Sequence, residues 1–124
     1  MKRLSNEASN HIYHILLESR TRCNRSVIQV CIFANYDTRN NYYNVILGKS
    51  LDPIIYIRIG IGANVPVSLF AEYLESANIV LSPKRSETNK YFWKYLETHS
   101  NADCTDYDID ELNDYLGSHG CDRL

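Results

Sequence analysis

Apolar and polar positions follow two different periods along the first half of the chain. In residues 6–23, small and apolar side chains recur every three or four positions, which predicts a helix with Ser5 as its N-cap. Three later runs are short, rich in β-branched and aromatic residues and bounded by turn-forming residues, which is typical of strands. The predicted strands are residues 26–36, 42–47 and 54–61. The first two are expected to pair as an antiparallel hairpin through residues 37–41.

The helical period returns after Pro66, since proline is favoured in the first turn of a helix. Further helix starts are indicated at Ser86, for a helix that runs to about His99, and at Asp108, which forms a capping-box pattern with Glu111. We therefore predict an α+β fold. Its parts are a three-stranded antiparallel sheet, a candidate short fourth strand at residues 79–81, an N-terminal helix and two to three C-terminal helices.

The chain of 124 residues is long enough for one domain with a buried core. We predict a single domain over residues 1–124, with an acidic helical segment at about residues 100–124. The longest uncharged stretch, Ile59 to Ala71, is shorter than the roughly 20 residues that a membrane helix needs, and no secretory signal is recognisable. A cytoplasmic protein is expected. Its four cysteines form no Cys-x-x-Cys pair and are expected to be reduced thiols.

Charge is unevenly distributed, although the formal net charge is only −2. Residues 1–50 contain seven Lys or Arg against three Asp or Glu, whereas residues 100–124 contain one against seven. The acidic residues of the last helix and the aromatic residues of the helix before it predict a surface that binds another protein. The predicted contacts are Asp106, Asp108, Asp110, Glu111, Asp114, Tyr91, Trp93 and Tyr95. The charge gradient also favours a homodimer or a larger symmetric oligomer.

Catalytic motifs are absent from the sequence. No nucleophile lies in a Gly-x-Ser-x-Gly or cysteine signature. The stretch IGIGANVP has Val65 where a dinucleotide-binding loop needs a small residue, and no Walker lysine follows it. The acidic run that begins at Asp106 has Glu111 where a calcium loop needs glycine. The sequence therefore predicts no cofactor and no metal, and it favours a small non-enzymatic accessory or inhibitory protein of phage or mobile-element origin.

Two alternative functions and one metal hypothesis use other residues. A nucleic-acid-binding domain would place arginines on phosphates and tyrosines on bases, although the acidic net charge argues against it. Its residues would be Arg20, Arg22, Arg25, Arg39, Tyr42 and Tyr43. A small-ligand binder or enzyme would use the flat polar face of the third strand, formed by Tyr56, Arg58, Gly60 and Gly62. Donors suited to zinc, in a spacing that matches no zinc finger, are His99, Cys104, His119 and Cys121.

Overall fold

The computed structural model describes residues 1–100, 104 and 107–124, and every regular element in this part of the chain is an α-helix. The helices are α1 (Asn6–Arg22), α2 (Val27–Phe33), α3 (Asn40–Ile46), α4 (Pro53–Gly62), α5 (Val67–Ser76), α6 (Glu87–His99) and α7 (Ile109–Ser118). No strand occurs among the described residues, so the prediction of an α+β fold with a three-stranded sheet is wrong.

The three predicted strands are α2, α3 and α4, and for α4 burial explains the error. Helix α4 lies at the centre, where it contacts α2, α3 and α5. Six of its residues are buried: Tyr56, Ile57, Ile59, Gly60, Ile61 and Gly62. A helix that is covered on most sides has an apolar run without a polar stripe, and such a run cannot be distinguished from a buried strand by its period. Burial of the isoleucines outweighed their preference for strands.

The two glycines of α4 allow neighbouring helices to approach its backbone. A Cβ atom at Gly60 would lie 2.7 Å from the ring of Tyr73 and 2.8 Å from the ring of Phe70, both on α5. A Cβ atom at Gly62 would lie 2.2 Å from the carbonyl oxygen of Val30 on α2. The absence of a side chain at these positions therefore sets the distances from α4 to α5 and to α2.

Six of these helices end in the same hydrogen-bonding motif. After α4, for example, the N–H of Asn64 donates to the carbonyl of Ile61, and the N–H of Val65 donates to that of Gly60, both at 3.1 Å. This is a Schellman motif, which requires a left-handed residue just past the helix. The left-handed residues are Asn24, Asn35, Asn64 and Asn78, with φ of 55° to 62°, and Gly48 and Gly120. A third of the twelve asparagines thus have a structural role.

The helices predicted by caps and apolar stripes are present. Ser5, Ser86 and Asp108 each accept a hydrogen bond from a backbone N–H in the first turn of the helix that follows them. Helix α5 begins directly after Pro66. None of the described helices combines the length and the apolar character that crossing a bilayer would require.

A disulfide bond joins Cys23, at the end of α1, to Cys104, which precedes α7. Their Cα atoms are 5.6 Å apart, and 81 positions separate them in the sequence. The prediction of four reduced thiols is therefore wrong for this pair, because the folded chain brings together two cysteines that are distant in sequence. Cys31 is a buried free thiol and Cys121 a half-buried one.

Candidate functional site

An open groove of about 680 Å³ lies between α5, α6 and the connection that joins them. Its inner surface is apolar and comes from all three segments: Val67, Ala71, Leu74, Ile79, Leu81 and Trp93. Charged residues stand at its rim: Glu75, Lys90, Lys94 and Glu97. An apolar depression with a few charged groups at its edge is the usual form of a binding site.

The antiparallel packing of α5 and α6 forms two walls of the groove. The N–H of Val67, at the start of α5, donates to the hydroxyl of Ser100, just after α6, at 3.3 Å. The connection forms the third wall because α6 holds it in place. The indole N–H of Trp93 donates to the carbonyl of Leu81, and the side-chain amide of Asn89 donates to the carbonyl of Ser82 at 3.1 Å.

Trp93 is the aromatic residue of the groove. It is half-buried, and its ring meets the rings of Phe92 and Phe70 edge-on, with centroid distances of 5.3 Å and 6.2 Å. These contacts and its hydrogen bond to Leu81 fix the orientation of the indole. One side of the indole remains available at the groove, which is the arrangement of a rigid aromatic anchor.

Residues 79–81, the candidate fourth strand, form no sheet. They are the non-helical start of the connection, and their side chains alternate: Ile79 is buried, Val80 is 58% exposed and Leu81 is half-buried. This alternation is characteristic of an extended chain. Val80 therefore presents an apolar side chain to solvent at the edge of the groove.

The predicted aromatic contacts do not form one surface with Trp93. Tyr91 and Tyr95 lie on the side of α6 that faces α7, where both rings contact Tyr115. Tyr91 also stacks on His119 at 4.0 Å. Tyr95 is only 1% exposed, and burial raises the pKa of its phenol to about 12. Its hydroxyl accepts a hydrogen bond from the N–H of Asp108 at 3.1 Å, so Tyr95 stabilises the packing of α7 on α6.

The predicted acidic contacts are mostly exposed, and several have intramolecular partners. Asp108 caps α7, Glu111 lies 2.7 Å from the imidazole of His99, and the carboxylate of Asp114 lies 4.0 Å from Arg123. The carboxylate of Asp110 accepts a 2.9 Å hydrogen bond from the side chain of Asn35. Asp106 lies outside the described residues.

Three of the arginines proposed for nucleic acid bind backbone carbonyls near the ends of helices. Arg25 donates to the carbonyl of Gly62 at 2.7 Å, and Arg22 donates to that of Asn64 at 3.3 Å. Arg20 donates to the carbonyl of Arg25 at 3.2 Å. Carbonyls at a helix C-terminus lack intrahelical donors and carry partial negative charge, so a guanidinium is a favourable partner there. These contacts occupy groups that the nucleic-acid hypothesis assigned to phosphates.

The remaining residues of that hypothesis are divided between core and surface. Tyr42 is buried, and its hydroxyl accepts a hydrogen bond from Arg20 at 3.1 Å. Arg39, the N-cap residue of α3, and Tyr43, in the middle of that helix, are exposed. The set therefore contains few side chains that could meet phosphates and bases together.

The polar strand face proposed for a small ligand does not exist, because its four residues belong to the helix α4. Tyr56, Gly60 and Gly62 are buried. Arg58 donates to the carbonyl of Ala34 at 3.0 Å, and its guanidinium lies over the ring of Tyr36 at 4.6 Å. Helix packing accounts for all four residues.

The donors considered for zinc are held in separate contacts. Cys104 is bonded to Cys23, His99 lies against Glu111, and His119 stacks on Tyr91. Among the described residues, no group of three or more metal-binding side chains converges on one point.

Comparison of the chain with protein-family models, curated proteins and solved structures finds no match. Function is therefore inferred from the groove itself.

Reasoning from the sequence named Trp93 as a contact residue and missed the groove that Trp93 lines. Lys90 and Lys94 were not singled out, since their role depends on α5 lying beside α6. One signal in the sequence could have indicated the site. The short apolar stretch that contains Val80 ends at Ser82 and Pro83 before the next helix begins, so it is not part of either helix.

Proposed function

We propose that the protein binds another protein by taking an apolar segment of its partner into the groove between α5 and α6. The observation that carries this proposal is the combination of an apolar inner surface, a fixed Trp93 and a charged rim. Interfaces with this composition bury their aromatic and aliphatic residues at the centre and keep charged residues at the edge.

We propose that the groove binds without catalysis, because its described lining is mainly apolar and its charged side chains, Glu75, Lys90, Lys94 and Glu97, stand at the rim. The protein would then act as an accessory or inhibitory protein. A phage or mobile-element origin is part of this proposal. The acidic surface of α7 would contribute to partner choice rather than form the main contact.

Self-association is the second candidate role. Large apolar side chains are exposed on α2, on α3 and just after α3: Ile32, Phe33, Tyr43, Leu47 and Leu51. A homodimer that buries these side chains is proposed, because large exposed apolar side chains gain stability when an interface covers them. Sedimentation equilibrium of the wild type and of Leu47→Glu tests it, and a monomeric mass for the wild type would refute it.

We propose a cytoplasmic location, in which the Cys23–Cys104 disulfide would form only transiently, because reducing compartments keep most thiols reduced. Rapid alkylation of thiols in intact cells tests this assignment. Modification of both Cys23 and Cys104 is expected in a reducing compartment, and protection of both would place the protein in an oxidising one.

Two substitutions on α5 test the groove. Ala71 lines the groove and is exposed, so Ala71→Arg should fill the groove without disturbing the core. Ser68→Arg is the matched control, because Ser68 is exposed on the same helix and does not line the groove. A photoactivatable residue at position 80 reports the partner by mass spectrometry. Loss of that crosslink in Ala71→Arg alone supports the proposal, and equal crosslinking of both variants refutes it.

A further inference from the structure

We infer that the partner segment is an amphipathic α-helix that lies along the groove, with basic residues on the flank beside α5 and mainly acidic residues on the flank beside α6. This inference rests on the proposed function and names the kind of segment that the groove receives.

The groove follows α5 and α6 for about two turns of each helix. The α5 residues that line it have the spacing of one helix face, and they are Val67, Ala71, Leu74 and Glu75. The α6 residues that line it have a similar spacing, and they are Lys90, Trp93, Lys94 and Glu97. At a rise of about 1.5 Å per residue, the lining of α5 is about 12 Å long. A partner helix with apolar side chains at positions i, i+4 and i+7 has an apolar face of about the same length, roughly 10 Å.

The walls of the groove favour a helix over an extended chain. Helices α5 and α6 pair their backbone groups internally, so it is their side chains that face the groove. On the connection, the carbonyl of Leu81 accepts the indole N–H of Trp93, and the carbonyl of Ser82 accepts the N–H of Arg85 at 3.0 Å. An extended segment would bring its own N–H and carbonyl groups onto this apolar surface, where a buried group without a partner destabilises the complex. A helix enters with its backbone groups already paired.

The middle of the α5 wall leaves room for a large side chain of the partner. Ala71 carries only a methyl group, and Val67 and Leu74 line the groove about one turn to either side of it. Side chains of one helix pack into the depressions between the side chains of another. A leucine in the middle of the partner's apolar face would therefore lie over Ala71 and beside Trp93.

The two rims of the groove differ in charge. The α5 rim has Glu75, whereas the α6 rim has Lys90 and Lys94 on successive turns, followed by Glu97. All four residues are exposed, and together they are neutral. The net charge of the partner is therefore not selected, and the sign of charge on each flank is. The ammonium of Lys90 lies 5.4 Å from the centre of the Tyr91 ring, so Lys94 is the better residue for a test.

Synthetic peptides test the helical conformation, and their binding is measured by fluorescence anisotropy. The probe is a peptide of about 14 residues, long enough for the apolar face and one turn beyond each end, with Leu at positions i, i+4 and i+7. It carries Glu along one flank and Lys along the other. One comparison peptide has the same composition with Leu at alternate positions, and a second has proline in the middle of the probe. We expect both to bind at least about tenfold more weakly than the probe.

Two further peptides test the charge of the flanks. One carries Glu on both flanks and the other carries Lys on both, and each should bind about threefold more weakly than the probe, as expected for exposed ion pairs. Lys94→Glu should weaken binding of the Glu peptide and strengthen binding of the Lys peptide. Lys49→Glu is the matched control, because Lys49 is exposed and does not line the groove, and it should change neither.

The outcomes separate this inference from the proposed function. Equal or tighter binding of the alternating or the proline peptide overturns the inference, and so does equal or tighter binding of a peptide with one sign of charge. Failure of every peptide to bind, or binding of the probe that Ala71→Arg leaves unchanged, also overturns it. In each of these cases the proposed function still stands if Ala71→Arg abolishes the crosslink to the natural partner and Ser68→Arg does not.

Discussion

Replacement of Gly62 by alanine tests the central contact of the fold. The added Cβ atom would lie 2.2 Å from the carbonyl oxygen of Val30 and 3.1 Å from the backbone nitrogen of Ala34. These two atoms form a hydrogen bond of 3.0 Å at the end of α2. Because backbone atoms cannot rotate away as a side chain does, α2 and α4 would have to separate.

The expected loss of stability follows from two opposing terms. Overpacking of a core usually costs 1–3 kcal/mol, and a clash with backbone belongs at the upper end of about 3 kcal/mol. Alanine in place of glycine within a helix raises the free energy of unfolding by about 1 kcal/mol. Gly62→Ala should therefore lower the free energy of unfolding by about 2 kcal/mol. In urea this corresponds to a midpoint lower by about 1 M.

Gly117 provides a matched control for this experiment. It lies in α7, and a Cβ atom added there would meet no heavy atom of the described residues within 4 Å. Gly117→Ala should raise the free energy of unfolding by about 0.5–1 kcal/mol, since only the helix propensity changes. Urea unfolding followed by circular dichroism measures both variants. If Gly62→Ala stabilises the protein as Gly117→Ala does, the close approach of α2 to α4 is refuted.

Three further predictions concern single groups and can be measured in the same unfolding assay. Asn78→Ala should lower the free energy of unfolding by about 1 kcal/mol because alanine is strained at φ of 59°, whereas Asn78→Gly should be neutral or stabilising. Equal values for the two variants would contradict a left-handed residue after α5. Ser19→Ala should raise the free energy of unfolding by about 1 kcal/mol, since the buried Ser19 hydroxyl has no hydrogen-bond partner in the part of the chain that the structure describes. A loss of stability would show that the hydroxyl is satisfied. Burial raises the pKa of both Tyr95 and Tyr107 to about 12, whereas the pKa of an unfolded tyrosine is about 10. The contribution of these two phenols to the free energy of unfolding is therefore complete below about pH 10, and it is lost as the pH rises through 12. The free energy of unfolding should therefore fall between about pH 10 and pH 12, and it should fall less steeply in Tyr107→Phe. An unchanged pH dependence in that variant would count against the raised pKa of Tyr107 as a cause of the loss.

The sequence alone predicted the helices that have an apolar stripe and an N-cap side chain. Helices α1, α6 and α7 each expose one polar face, and a serine or aspartate marks where each begins. Helix α4 has no polar face to reveal its period, because neighbouring helices cover it. Its glycines suggested a flat face on a strand, and their actual role depends on Val30 and Phe70, which belong to other helices.

The candidate site was less accessible to sequence reasoning than the fold. Trp93 could be found because exposed or half-exposed aromatic residues are common in interfaces. The groove could not be found, since it exists only where α5, α6 and residues 77–86 meet. The arginines were assigned to phosphates because the carbonyls of Gly62 and Asn64, which they bind, have no signature in the sequence.

The disulfide between Cys23 and Cys104 makes most of the chain one covalent ring. Every peptide bond from α2 to α6 lies inside this ring, including the exposed turn at Lys84 and Arg85 beside the groove. A protease that cuts the chain once at this turn would release no fragment from the oxidised protein. The nicked molecule would keep the mass of the intact chain plus one water, and it would separate into two pieces only after reduction.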